Sequence, residues 1–165
     1  MMNRIGLEKD LDRIQQWIRQ ADQKISIFTG FQGIVIAILF PDVLHWLSTD
    51  LTSKSIILTL LAVVASVLII CGFAFSLIAL IPTLTGNGDS GSLSYFGDIA
   101  KLSFSEYKKQ MSEADENQHV NDLLRQIHIN AIICSKKHNG LRTSMMYFSI
   151  GSLSLLIIGL ISLVA

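Results

Sequence analysis

The chain has 165 residues, half of them hydrophobic, and its 13 basic residues balance 13 acidic ones to a net charge of zero. Charged residues are 16% of the total, against about 25% in an ordinary soluble domain; the mean hydropathy is +0.49. This excludes a mainly disordered chain, which is charge-rich and poor in apolar residues. It also excludes a broadly basic surface for nucleic acid, which needs a positive excess. The length suits one small domain, or a membrane bundle with a short polar part.

Residues 1–24 carry nine charged side chains and no apolar run, so they read as a cytoplasmic amphipathic helix and not as a signal peptide. Leu7, Leu11, Ile14, Ile18, Ala21 and Ile25 recur at spacings of 4,3,4,3,4, one apolar face of a helix. No Gly or Pro lies between Leu7 and Gly30, so the helix runs on into the first span. That span covers 25–47. Its charge-free run from Ile25 to Phe40 has 16 residues, and Val43, Leu44, Trp46 and Leu47 lengthen it toward the roughly 20 a bilayer core requires. Lys24 snorkels outward, and Trp46 sits at the headgroups. Ser26, Gly30, Gly33 and Ala37 form a small-residue stripe that suits close packing, against a second copy or against the chain's own spans. Gln32, beside it, needs a polar partner or a wet cavity.

The second span covers 55–82, with no charge between Ile56 and Ile81. Residues 83–94, TLTGNGDSGSLS, have turn composition. Gly86 to Gly91 fits G-x-G-x-x-G, but a span precedes it where the phosphate-binding version needs a strand, so it reads as a linker. Ser103 and Glu106 make a capping box opening a short helix over 104–115. A longer helix follows from about Asn117, striped by Val120, Leu124, Ile127, Ala131, Cys134, His138 and Leu141. It feeds the third span, 143–165, and Asn139-Gly140 is where it would bend.

The expected fold is therefore an all-α membrane protein. Three transmembrane helices carry a small cytoplasmic helical stalk or lobe made from 1–24 and 83–142. With three spans, twelve of the thirteen basic residues fall on one side. The positive-inside rule then puts the N-terminus in the cytoplasm and the C-terminus outside. The two stripes suggest parallel packing of 7–25 against 120–141. So small a lobe buries little surface alone, and a homo-oligomer is expected.

Catalytic chemistry is not apparent. Cys134 and His138 lie one turn apart with His128 on the same helix, too few ligands for zinc. Cys71 is in the second span. His45, His119, His128 and His138 are scattered without a nucleophile pattern. No enzyme activity, metal or cofactor is expected. The polar residues near the membrane are more informative. Parallel packing would bring Asp22 to the level of Lys136 and Lys137, as a lock or as ordinary interfacial anchoring. Asp98 follows Tyr95-Phe96-Gly97, a group that would stack a base and bind a sugar, or simply pack the lobe.

Three segments carry a resemblance. Trp17-Ile-Arg-Gln-Ala-Asp-Gln-Lys24 resembles an Ala-Asp-x-Lys signature before the first span. Tyr95-Phe-Gly-Asp-Ile-Ala100 is similar to an aromatic-Phe-Gly segment between spans. Gln126 to Lys137 resembles a Gln-Ile helix ending in Lys before the last span. In this order, around this hydropathy pattern, they resemble the transmembrane effector family of Pycsar, the bacterial antiphage system that signals with cyclic pyrimidine mononucleotides. The resemblance implies an inner-membrane effector whose partner is a pyrimidine cyclase, acting through its product. Cyclic UMP or cyclic CMP would be the ligand, and membrane damage the output. A site consistent with it would lie between stalk protomers. Asp22, Lys24, Phe96, Asp98, Gln126 and Lys137 are its candidate ligand-binding residues, with Lys24 or Lys137 on the phosphate and Phe96 on the base. The rival readings are a constitutive membrane adaptor or assembly protein, and a holin-like pore former.

Overall fold

A computed structural model describes residues 4–49, 56–81 and 92–164. They form α1 (Arg4–Thr49), α2 (Ile56–Leu80), α3 (Phe96–Ile99), α4 (Phe104–Glu113) and α5 (Glu116–Val164), with no strand among the described residues. Three of these helices, α1, α2 and α5, are long and apolar enough to cross a membrane. The fold is that of an all-α membrane protein. Lys54 and the Gly86–Gly91 segment lie outside the described residues.

The chain divides into two compact units: residues 1–20 with 82–136, and residues 21–81 with 137–165. Both α1 and α5 contribute to each unit. α1 has 46 residues and α5 has 49. At a rise of about 1.5 Å per residue each is roughly 70 Å long, more than twice a bilayer core of about 30 Å.

In the second unit α1 and α5 run parallel. Asp22 pairs with Lys137, Gln32 with Ser144, and Phe28 and Phe31 meet Phe148 edge-on. α2 runs antiparallel to α5. A methyl group on Gly140 would meet the Ala79 side chain at 2.9 Å, and Ser144 bonds to Ser76 and to the Gly72 carbonyl. Further along, the Gly151 position sits against Ala65 and Ile69. The seam on α2 is Ala62, Ala65, Ile69, Gly72 and Ser76, spaced 3,4,3,4 as interhelical packing requires. Two glycines are indispensable to it. A Cβ on Gly72 would lie 2.8 Å from the Phe148 amide nitrogen, and one on Gly151 2.7 Å from the Ala65 carbonyl oxygen. Each notch admits the other helix's backbone, which no side-chain rotation can move aside.

Helix α1 runs through Pro41 to Thr49. Proline removes the bond to the carbonyl four residues back and crowds that carbonyl, a cost that membrane-spanning helices tolerate. Asn139-Gly140 lies within α5, and Gly140 is a contact point against α2. One expectation needs correction: the stripe on α5 is rotated. Ala131 and His138 are exposed, while Gln126 and Lys137 are buried. Apolar spacing missed these two because each is buried together with a polar partner. On α1 the expected stripe holds, with Leu7, Ala21 and Ile25 buried. The small-residue stripe is not used within the protomer: Cβ atoms built on Gly30 and Gly33 meet nothing within 4 Å.

Candidate functional site

In the second unit, the Lys137 ammonium donates to Asp22 Oδ1 at 2.5 Å and to the Ala79 carbonyl at 3.3 Å. The Lys137 side chain is 10% exposed and that of Asp22 43%. Ala79 lies in the last turn of α2, whose end carries unsatisfied carbonyls and partial negative charge. Lys137 thus ties all three long helices together: it belongs to α5, pairs with α1 and caps α2. Lys24 is exposed and takes no part.

Deeper in the same unit lies a second polar group. Gln32 Nε2 donates to Ser144 Oγ at 3.1 Å, Ser144 Oγ donates to the Gly72 carbonyl at 2.6 Å, and Ser76 Oγ lies 2.6 Å from Ser144 Oγ. Ser144 has one proton, already given to Gly72, so Ser76 is the donor in the serine pair. Gln32, Ser76 and Ser144 are all fully buried. Gln32 Oε1 has no partner. The polar partner that the sequence required for Gln32 is Ser144, but it satisfies only one end of the amide.

In the first unit the hub is Ser92. Its N–H donates to Asp98 Oδ2 at 3.1 Å, and its hydroxyl donates to Asp122 Oδ2 at 2.9 Å. The same hydroxyl oxygen accepts from Gln126 Nε2 at 3.2 Å and from the backbone N–H groups of Ser94 and Tyr95. Lys101 donates to the other oxygen of Asp98 at 3.0 Å. The Ser92 N–H bond, and then the Lys101 bond, hold the Asp98 carboxyl below its ordinary value. The charge of Arg125 acts in the same direction. Gly97 is explained by its neighbour, since a Cβ there would meet the Tyr95 ring at 2.7 Å. Tyr95-Phe96-Gly97-Asp98 is thus a compact turn leading into α3, locked by Asp98. Phe96 opens α3, and its side chain lies outside the described part.

The six residues singled out in the sequence therefore separate. Asp98 and Gln126 meet around Ser92 in one unit. Asp22 and Lys137 meet in the other. Lys24 joins neither network, and the Phe96 side chain lies outside the described residues.

Sequence reasoning missed a cleft in the first unit. α4 opens on the expected capping box: the Ser103 hydroxyl accepts from the Glu106 N–H, and Glu106 accepts from the Ser103 N–H. α4 ends at Glu113, and α5 begins three residues later on a second reciprocal cap between Asp115 and Gln118. The two-residue link sets the end of α4 beside the start of α5. Between them is a cleft of about 480 Å³, within the roughly 300–1,000 Å³ of small-molecule pockets. Gln110 and Glu113 line it from α4, His119, Asp122 and Arg125 from α5, and Leu93 from the turn before α3. Gln118 and Asn121 complete it. Arg125 lies three residues after Asp122 and seven after Gln118, along one helix face. Both bonds to the Asp122 carboxylate fall on Oδ2.

Taken together these features define a class: a three-helix membrane bundle whose first and last helices also build a polar unit with a ligand-sized cleft. The chain belongs to the Pycsar effector family of antiphage defence, the Pycsar effector protein domain matching residues 6–165. It is 22% identical over 155 residues to the Pycsar effector protein of Propioniciclava tarda, covering 90% of this chain and 74% of that one. It is 29% identical over 153 residues to the Pycsar effector protein of Gulbenkiania mobilis, covering 77% of this chain and 76% of that one. No solved structure matches.

Proposed function

We propose that this effector senses a cyclic pyrimidine mononucleotide, cUMP or cCMP, made by a partner cyclase, and then impairs the bacterial inner membrane, causing growth arrest or death. The observation that carries this reading is the continuity of α5. One unbroken helix contributes the cleft residues His119, Asp122 and Arg125, and also Ser144, Phe148 and Gly151 of the membrane bundle. A ligand that favours one arrangement of the polar end biases the bundle through the same rod, provided it binds the two arrangements unequally. The N-terminus is cytoplasmic and the C-terminus outside. The parallel course of α1 and α5 and the one-sided basic charge support that orientation. The protein works as a homo-oligomer, with the Gly30–Gly33 face of α1 packing against a second copy; its emptiness within the protomer supports this.

The test is co-expression with an active or an inactivated pyrimidine cyclase, while membrane potential is followed with a dye. Depolarisation and growth arrest should occur only with the active cyclase. Indifference to the cyclase would favour a constitutive adaptor or assembly protein. Toxicity without it would favour a holin-like pore former. Either result would refute ligand gating.

A further inference from the structure

We propose that the interior of the second unit is a closed proton conduit, with Gln32, Ser76 and Ser144 as its polar half and Phe148 as its gate. This rests on the effector reading above and adds to it how the membrane is impaired: by a proton leak through the protein and not by disordered lipid. Polar side chains are costly inside a bilayer, and those that face the interior of a bundle mark ion pathways. Gln32, Ser76 and Ser144 are fully buried, while Ile27, Ile34, Ile78, Leu153 and Leu160 are exposed. Along α5 the inward polar positions are Lys137, Ser144 and Ser152. At about 1.5 Å per residue they stand roughly 10 and 12 Å apart, so the row covers about 22 Å of a bilayer core about 30 Å thick. Two of the atoms in this interior point to water. Gln32 Oε1 and Ser152 Oγ are buried with no hydrogen-bond partner among the described residues. Each keeps the full desolvation cost of an unpaired polar group, which a water molecule would relieve.

Between Ser144 and Ser152 the polar row is interrupted. Phe148 is 4% exposed and meets the rings of Phe28 and Phe31 edge-on, with centroids 5.7 and 6.2 Å away. An apolar constriction of this kind closes a pathway by excluding water. Beyond it is a cavity of about 10 Å³ lined by Val35 and Leu39 of α1, Ser66 and Ile69 of α2 and Leu155 of α5. One water requires about 10–15 Å³, so this space is at the threshold of hydration. A displacement of α5 that draws Phe148 away from the two α1 rings joins the polar half to this cavity. The carrier follows from the width. α2 and α5 are in backbone contact at Gly72 and Gly151, so a modest loosening admits a single file of water and not a hydrated metal ion. The groups along the file are neutral hydroxyls and an amide, which donate and accept. A proton that joins the file at one end releases another at the far end, and no residue changes charge.

The experiment uses full-length protein in liposomes loaded with the pH dye pyranine or with calcein, under a potassium diffusion potential. Wild type is tested alone and with saturating cUMP or cCMP. Nucleotide should raise proton entry at least about tenfold, while calcein stays inside. Phe148→Ala should admit protons at the raised rate with no nucleotide, which tests the conduit apart from the ligand. Gln32→Leu, alone or combined with Phe148→Ala, should lower the leak at least about tenfold, as loss of one hydrogen bond to the file implies. Ser154→Ala, which removes a hydroxyl that bonds back to the Ile150 carbonyl, should change nothing. Circular dichroism checks that each variant is helical. Hydroxyl-radical labelling of the wild type needs no variant: Phe28 and Phe148 should be labelled strongly only with nucleotide, because the radicals arise from water beside the rings. Calcein release by wild type on adding nucleotide, undiminished proton entry in Gln32→Leu, or a folded Phe148→Ala that holds protons back would overturn the conduit and leave the effector reading intact. A leak through Phe148→Ala that Gln32→Leu suppresses, with wild type unresponsive to both nucleotides, would keep the conduit and overturn the effector reading. Silence in both would overturn both.

Discussion

Replacing Gly151 with alanine should loosen the α2–α5 seam by an amount that a second glycine on the same helix calibrates. The added Cβ would lie 2.7 Å from the Ala65 carbonyl oxygen, 2.8 Å from Ile69 Cγ1 and 3.0 Å from the Ile69 amide nitrogen. Two of the three are backbone atoms, so relief comes by separating the helices. Moving the closest contact from 2.7 Å to the 3.4 Å of ordinary van der Waals contact needs an opening of about 0.7 Å. A gap of about 0.5–1 Å forfeits a quarter to a half of each dispersion well along the seam. Overpacking of this kind costs about 1–3 kcal/mol, offset by about 0.8–1.0 kcal/mol from the better helix propensity of alanine. Gly159 is also on α5, and its Cβ would meet nothing within 4 Å. Gly159→Ala therefore carries the propensity gain without the clash. The stability difference between the two variants isolates the clash and should be about 1–3 kcal/mol. Reversible unfolding in mixed micelles, followed by circular dichroism, measures it. Equal stabilities would mean that α2 and α5 do not cross in backbone contact at Gly151.

The Asp22–Lys137 pair should respond unequally to loss of its members. Asp22→Asn leaves a nearly buried ammonium with only the Ala79 carbonyl, a cost below the roughly 3–5 kcal/mol of breaking a fully buried pair but above that of Lys137→Met, which leaves a carboxylate that water can reach. Thermal unfolding in detergent would show this, and the reverse order would refute the burial asymmetry. Asp98 has a lowered folded-state pKa, so its ionised form contributes stability above its ordinary value of 3.8, and that contribution fades as pH falls through the folded value. The hydrogen-exchange protection factors of residues 92–102, taken relative to the intrinsic rate at each pH, should fall on acidification in the wild type, with a much smaller pH dependence in Asp98→Asn. Identical profiles would show that Asp98 does not lock the turn.

The spans, the α1 stripe and the Ser103–Glu106 cap were legible because each depends on local spacing and local chemistry. Asp22–Lys137 was reachable in outline, because parallel helices leaving the membrane on one side put the two at one level. Burial of Gln126 and Lys137 was not legible, since periodicity ranks side chains by polarity and cannot see polar partners 34 and 115 residues away. The cleft was hidden for a related reason. Its residues are unremarkable polar positions until the Asp115–Gln118 cap turns α5 back beside α4. Gly97 reads as part of an aromatic motif, yet its conformationally decisive contact is the adjacent Tyr95 ring.

The Gln32–Ser144 bond also sets a timetable for the protein's birth. Its two residues are 112 positions apart, and at about 5–20 residues per second the ribosome needs roughly 6–22 seconds to make the intervening chain. Until then the first span holds an amide that its final partner has not yet been made to meet. The second span, with a hydropathy of 2.9 against 1.9 for the first, is the better membrane inserter of the two. Closure of the bundle therefore follows insertion of the first two spans and waits for the Ser144 segment of α5 to be made.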